Sequence, residues 1–161
     1  MQIRRYTSGD FDAVLALTID TFESFHEGVL RPLYGEVVFA NRHGRWREEY
    51  REQVAGLHDP AHDTYLAVAE EGGRIIGSVA WAVEVEKRYG EVKILAVRDD
   101  HRGRGLGTAL CDYAFTALRA RGAEVVSIGT GGTDAFHAPA RGLYESLGCT
   151  RVDVAIYLRA R

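Results

Sequence analysis

Residues Gly90 to Tyr113 read strand, bend and helix in direct succession, and few folds accept that order with so much glycine at its centre. Val92, Ile94, Leu95, Ala96 and Val97 form an apolar run too short for a helix and suited to a buried strand. Arg102-Gly103-Arg104-Gly105-Leu106-Gly107 then compress into one polar bend. Beyond it Leu106, Leu110, Ala114, Ala117 and Leu118 recur at the spacing of an amphipathic helix. A helix that starts this way turns unpaired N–H groups and a partial positive charge outward, which suits an anion. The glycines let the main chain approach a phosphate with no Cβ between, and Arg98, Arg102 and Arg104 add formal charge. Two common phosphate loops are excluded. No lysine completes a Gly-Lys-[Ser/Thr] ending, and after Gly103 and Gly105 the third glycine of a dinucleotide fingerprint is replaced by Thr108.

Around this unit the chain reads as one mixed domain. Gln2 to Tyr6 predict a first strand, and Ser8-Gly9-Asp10 an N-cap before the helical face of Phe11, Val14, Leu15, Leu17, Thr18 and Ile19. Thr21 to Leu57 are helical in parts, interrupted by Gly28, Pro32 and Gly35, with a turn predicted at Asn41-Arg42-His43-Gly44 and a helix from Trp46. His26, Glu27, Tyr34, Arg42, His43, Trp46 and Tyr50 either line a polar pocket there or belong to helices that simply cover a sheet face. His58 to Asp63 form a loop whose histidines and aspartates lack the second cluster that a metal shell needs. Thr64–Ala69, Arg74–Glu86 and Tyr89–Val97 predict an antiparallel meander through turns at Glu71-Gly72-Gly73 and Lys87-Arg88. After the long helix, Glu124 to Thr130 predict a strand parallel to the preceding one, reached by a right-handed crossover. A flexible Gly129-Thr130-Gly131-Gly132 loop follows. A last helix starts near His137-Ala138-Pro139, carries Ala140, Leu143, Tyr144 and Leu147 on one face and stops at Gly148; Arg151 to Leu158 predict a closing strand.

Bulk properties narrow the partners. A net charge of -3, with scattered arginines interleaved with acids, argues against nucleic acid. No stretch approaches membrane-spanning length and no apolar leader follows Met1, so a cytoplasmic protein is expected. Cys111 and Cys149 lack metal-ligand spacing and are expected as free thiols in a reducing compartment.

The pattern [Arg/Gln]-x-x-Gly-x-[Gly/Ala], met by Arg102, Gly105 and Gly107 after an Ile-Leu-Ala-Val strand, resembles the pyrophosphate loop of the GNAT superfamily of N-acetyltransferases. The run Ala140-Arg141-Gly142-Leu143-Tyr144-Glu145-Ser146-Leu147-Gly148 is similar to that family's last block, Ala-x-x-Leu-Tyr-x-x-x-Gly. There are departures: His137 stands where the family often has asparagine, Cys149 where it usually has phenylalanine, and the C-terminal end is short.

The resemblance implies an α/β fold: a mixed, mostly antiparallel sheet of roughly six to seven strands with a splayed parallel pair, flanked by about four helices. One domain over 1–161 is expected, with acceptor-side helices and loop in 21–63, the coenzyme core in 89–130, and the last helix and strand in 137–158. It implies acetyl-CoA as co-substrate, no metal, and transfer of the acetyl group to a primary amine of a small molecule by direct attack in a ternary complex. Main-chain groups of Leu95, Ala96 and Val97 would meet the pantetheine, and Arg102, Gly103, Arg104, Gly105, Leu106, Gly107 and Thr108 the pyrophosphate, with His137 and Tyr144 completing the coenzyme site. Tyr144 is the expected acid for the leaving thiolate and Glu91 the expected base, with Glu84, Glu86 and Glu27 as alternatives. Glu27, Tyr34, Trp46 and Trp81 are the expected acceptor contacts. Two other readings stay open at this point: a CoA-binding sensor without catalysis, and a protein N-acetyltransferase. A homodimer in which a neighbouring subunit completes the short final edge is also open.

Overall fold

The computed structural model describes residues 1–160. One sheet runs in the order β1 (Gln2–Arg5), β2 (Thr64–Glu71), β3 (Arg74–Glu84), β4 (Tyr89–Val97) and β5 (Val125–Ile128). The first four strands are antiparallel neighbours, and β5 lies parallel to β4. The helices are α1 (Phe11–Phe25), α2 (Arg31–His43), α3 (Trp46–Gly56), α4 (Leu106–Ala120) and α5 (Ala138–Ser146). This is the mixed, mostly antiparallel α/β architecture expected, with five strands among the described residues rather than six or seven.

Alternation along the strands divides the core in two. Leu66, Val68, Ala80 and Ile94 face α1 and α3, where Val14, Leu15, Val54 and Leu57 meet them. Ala67, Ala69, Val79, Trp81 and Val92 face α4, against Leu106, Leu110, Ala114 and Leu118. Leu110 and Leu118 are fully buried, each contributing roughly 1.5–3 kcal/mol of apolar burial. Two strand glycines set how low α4 sits: a Cβ at Gly77 would lie 2.9 Å from Leu110 Cδ1, and one at Gly90 2.6 Å from Leu118 Cδ2. The seat fixes the direction in which the N-terminus of α4 points.

A bulge interrupts β4. Ala80 opposes Ile94 while Trp81 opposes Val92, which leaves Lys93 as the extra residue. Val92 and Ile94 would share a face in a regular strand; instead they enter opposite cores.

The helical segment is more continuous than its glycines suggest. α1 passes through a π-helical turn, His26–Leu30, into α2, and Gly35 kinks α2 with a φ of 74°. The turn expected at Asn41–Gly44 shrinks to Gly44-Arg45, because Asn41 to His43 stay helical. The closing strand expected over Arg151–Leu158 is not formed. Residues 151–160 have no regular structure, and Val152, Val154 and Ile156 are 81%, 83% and 71% exposed. Their apolar alternation meets no partner edge, and alternation without a ladder does not make a strand.

The start of α1 is clamped to the sheet. Arg4 donates from Nη1 and Nη2 to the two Asp10 oxygens, both at 2.8 Å, and from Nε to Glu70 at 2.8 Å. Asp10 also accepts the Thr7 N–H at 2.8 Å. The bonds from Arg4, against an opposing effect of burial, hold the Asp10 carboxyl at about 2, below its ordinary 3.8. A depressed carboxyl pKa adds stability that is present above the unfolded-state value and is lost as pH falls through the folded one. Asp10→Asn should therefore lower the unfolding free energy by about 2 kcal/mol at neutral pH. In urea titrations the gap between the two proteins should close as pH falls from about 4 to about 2; a gap that persists at the acid end would show that the carboxylate charge is not its source.

Candidate active site

β4 and β5 part company halfway. β5 pairs with Tyr89 to Val92, an end further tied by a hydrogen bond from Tyr89 Oη to Ser127 Oγ. From Lys93 to Val97, β4 keeps β3 on one edge and has no β5 partner on the other. The Arg98 N–H donates to the Ile76 carbonyl at 3.0 Å. In an antiparallel ladder, main-chain direction alternates from that point. Ala96 and Ile94 therefore spend their N–H and C=O groups on β3, and those of Leu95 and Val97 point into the gap.

The bend after β4 closes one end of this gap. Gly103 and Gly105 have φ of 72° and 80°, a region that costs other L-residues about 1–2 kcal/mol. Gly105 is the N-cap of α4 and no side chain caps the helix; the first helical bond is Ala109 N–H to Gly105 O at 3.0 Å. The amides of Leu106, Gly107 and Thr108 thus have no intrahelical acceptor. Arg102 ties the bend to the strand, its Nε donating to the Val97 carbonyl at 3.1 Å while Nη1 lies 2.9 Å from Asp99.

A cleft of about 720 Å³ follows the gap. Leu95 and Val97 form one side; Arg102, Gly103, Gly105, Gly107 and Thr108 its end; Gly129, Thr130 and Gly131 the parted β5 side; and α5, through Pro139, Leu143 and Tyr144, its cover. Uncapped amides at a glycine bend suit a diphosphate, and the free strand edge suits an amide-bearing chain laid along it. These residues fit a coenzyme with a diphosphate and a pantetheine arm.

Tyr144 is only 9% exposed, yet lines the cleft, and its hydroxyl has no hydrogen-bond partner among the described residues. Burial, with the neighbouring Cys111 and Cys149, pushes its pKa well above the ordinary tyrosine value. His137 also lines the cleft, with its ring Nδ1 and its backbone N–H each 2.8 Å from Asp134 Oδ1. Burial alone would raise the Asp134 carboxyl; the bonds from His137 outweigh it and hold the pKa low.

The far end of the cleft is aromatic. Phe22 stacks on Tyr50 at 5.6 Å, Phe25 on Phe136 at 5.4 Å, and His137 meets the edge of Phe25 at 4.4 Å. Tyr50 Oη lies 3.2 Å from His26 Nε2. Burial raises Tyr50 to about 12, and burial with nearby positive charge lowers His26 to about 4, so both are neutral at pH 7.

Several expected site residues lie elsewhere. Ala96 is buried, with its main chain turned to β3; the side chain of Leu106 is in the α4 core, and only its amide is at the bend; Arg104 is exposed off the cleft wall. Glu91 does not line the cleft, and its carboxylate is engaged by Lys93 Nζ. Three of the four expected acceptor contacts are taken up in packing. Glu27 accepts from Trp46 Nε1 at 2.9 Å and Arg31 Nε at 2.8 Å; Trp46 stacks on His26 at 4.6 Å; Tyr34 stacks on His43 at 5.6 Å. Trp81 lies across the sheet, beside Tyr65 and Tyr113 in a second cavity of about 680 Å³. Thr21, Gln53 and Phe136 line the cleft without having been singled out from sequence. The only signal for Phe136 is its place next to His137.

The profile of the "Acetyltransferase (GNAT) family" matches residues 22–149. The mycothiol acetyltransferase of Thermomonospora curvata is 34% identical over 144 residues, covering 87% of this chain and 46% of that protein. That of Pseudarthrobacter chlorophenolicus is 30% identical over 163 residues, covering 97% and 44%. The chain spans less than half the length of these curated relatives. Among solved structures, a putative acetyltransferase from Agrobacterium tumefaciens superposes with a TM-score of 0.65 at 19% identity, over 99% of this chain and 100% of that one. AAC(6')-Iy, solved with a CoA-containing bisubstrate analogue, gives 0.69 at 13% identity, over 99% and 97%. At such identities the likeness is one of fold.

Gly131 makes the His137–Asp134 pair possible. A Cβ there would lie 1.9 Å from Asp134 Oδ2 and 2.5 Å from His137 Nδ1. Gly131→Ala should break the pair at a cost of about 1–3 kcal/mol. In a chain of this size that reads as a fall of roughly 2–12 °C in Tm; an unshifted melting curve would show that the pair does not hold the loop.

Proposed function

Since the chain belongs to the GNAT family of acetyltransferases, we propose that it moves the acetyl group of acetyl-CoA to a primary amine of a small molecule, by direct attack within a ternary complex. The observation that carries this reading is the β4 edge, with Leu95 and Val97 turned into a cleft that ends at the uncapped N-terminus of α4. Acetyl-CoA supplies an acetyl group already activated as a thioester.

The residues of the chain divide the work. The amides of Leu106, Gly107 and Thr108 take the diphosphate, with the α4 dipole behind them. The Leu95 N–H donates to the thioester carbonyl oxygen and gains strength as negative charge builds there, an effect worth roughly 3 kcal/mol for a preorganised donor. The amine lone pair forms the new C–N bond as the C–S bond breaks. Tyr144 donates its O–H to the departing sulfur. With a thiol near 8.5 and a tyrosine raised above 10, full proton transfer is uphill by more than about 2 kcal/mol, so a hydrogen bond to the sulfur is the step this tyrosine performs. We assign removal of the amine proton to water in the cleft rather than to Glu91, whose carboxylate is held by Lys93.

Tyr144→Phe should lower kcat by about 10²-fold while the Kd for acetyl-CoA changes less than about threefold. Wild-type kcat should show no alkaline fall up to about pH 9.5, because a buried tyrosine does not ionise in that range; a fall near 8 would assign the acid to another group. Gly105→Asp places a bulky anion at a left-handed position in the diphosphate end and should weaken acetyl-CoA binding at least tenfold by calorimetry. Unchanged affinity in a folded variant would remove the bend from the coenzyme site.

A further inference from the structure

The composition of the acceptor end constrains the amine. Phe22 and Phe25 on α1, Tyr50 on α3 and Phe136 in the loop before α5 form a continuous aromatic wall, with Thr21 and Gln53 as its neutral polar groups. The formal charges on the cleft lining are Lys93 and Arg102, both positive. The nearby carboxylates are already engaged: Glu91 by Lys93, Asp134 by His137 and Asp99 by Arg102.

We propose that the acceptor is a low-pKa primary amine on an aromatic body, bound uncharged, and that the Phe22–Phe25–Tyr50–Phe136 wall selects it against polycations. This rests on the acetyltransferase reading above and deepens it.

Two physical effects converge on that class. An ammonium group entering this cleft gives up its hydration and meets no free carboxylate on the lining. An apolar ring instead buries its surface on four aromatic side chains. The second effect is protonation. Because water rather than a side chain removes the amine proton, turnover depends on the fraction of amine already neutral. At pH 7.5 an α-amino group of pKa near 7.8 is about one third neutral, whereas a lysine-like amine of pKa near 10.4 is about 0.1% neutral. That difference alone favours the α-amine by roughly 250-fold. Tyr50, raised to about 12 by burial, is neutral at pH 7 and adds no charge to the aromatic wall.

The test compares kcat/KM of the full chain at pH 7.5 for L-phenylalaninamide, glycinamide and spermidine, with acetyl-CoA binding measured separately by calorimetry. Phenylalaninamide should exceed spermidine by about 10²-fold or more and glycinamide by about tenfold. Phe136→Ala should lower kcat/KM for phenylalaninamide about tenfold and leave the acetyl-CoA Kd unchanged. If acetyl-CoA binds and spermidine is the better substrate, the acceptor class is wrong and the acetyltransferase reading stands. Equal rates for glycinamide and phenylalaninamide, or no effect of Phe136→Ala, overturn the aromatic wall. Acetyl-CoA binding without turnover of any of the three amines overturns the acceptor class as well. Failure of acetyl-CoA to bind at all overturns the reading beneath it.

Discussion

The second half of β4 carries main-chain donors and acceptors that the protein itself does not use. Leu95 and Val97 point their N–H and C=O groups into a cleft, where unpaired main chain costs free energy that water recovers only in part. Arg102 satisfies the Val97 carbonyl; the Leu95 groups stay open. The neighbouring features preserve this opening. Loop 129–131 leaves β5 at the point where pairing stops, α4 is seated on Gly77 and Gly90 so that its N-terminus meets the end of the gap, and α5 covers the top. A strand edge half paired and half free is the geometry into which an extended, amide-bearing ligand adds itself.

Much of this was readable in the chain because it rests on local rules. The apolar run of β4, the glycine bend and the spacing of Leu106, Leu110, Ala114 and Leu118 are each properties of a few adjacent residues. The Lys93 bulge was not readable, since a lysine between Val92 and Ile94 looks like ordinary alternation until the register with β3 is known. Glu27, Tyr34, Trp46 and Trp81 have the chemistry of a binding site, but sequence does not reveal which polar atoms are already paired. Trp46 Nε1 and Glu27 satisfy each other, and Trp81 falls on the α4 side of the sheet. Phe136 reaches the site through its contacts with Phe22 and Phe25, which join distant parts of the chain. The alternation in 151–160 misled for the converse reason: a strand is a property of two neighbours, and no second one is present among the described residues.

Charge in the cleft is mostly spent on structure. Arg102 fastens the bend to β4, His137 and Asp134 fix the loop before α5, and Lys93 engages Glu91. What remains directed at a ligand is main-chain amide and aromatic surface. Such groups are held by the fold and need no reorganisation when a ligand arrives, so their contribution grows as water is excluded.

Tyr144 illustrates the balance this imposes. Its burial makes it a poorer acid, which counts against a role as full proton donor. The same burial keeps the hydroxyl protonated and leaves it without a competing partner among the described residues. A neutral buried donor forms a strong hydrogen bond to a developing anion, and because burial raises the Tyr144 pKa it keeps its proton well into the alkaline range. An exposed tyrosine would release its proton more readily and stabilise the sulfur less. Placing this residue on the inner face of α5, beside Cys111 and Cys149, therefore favours hydrogen-bond strength over acidity.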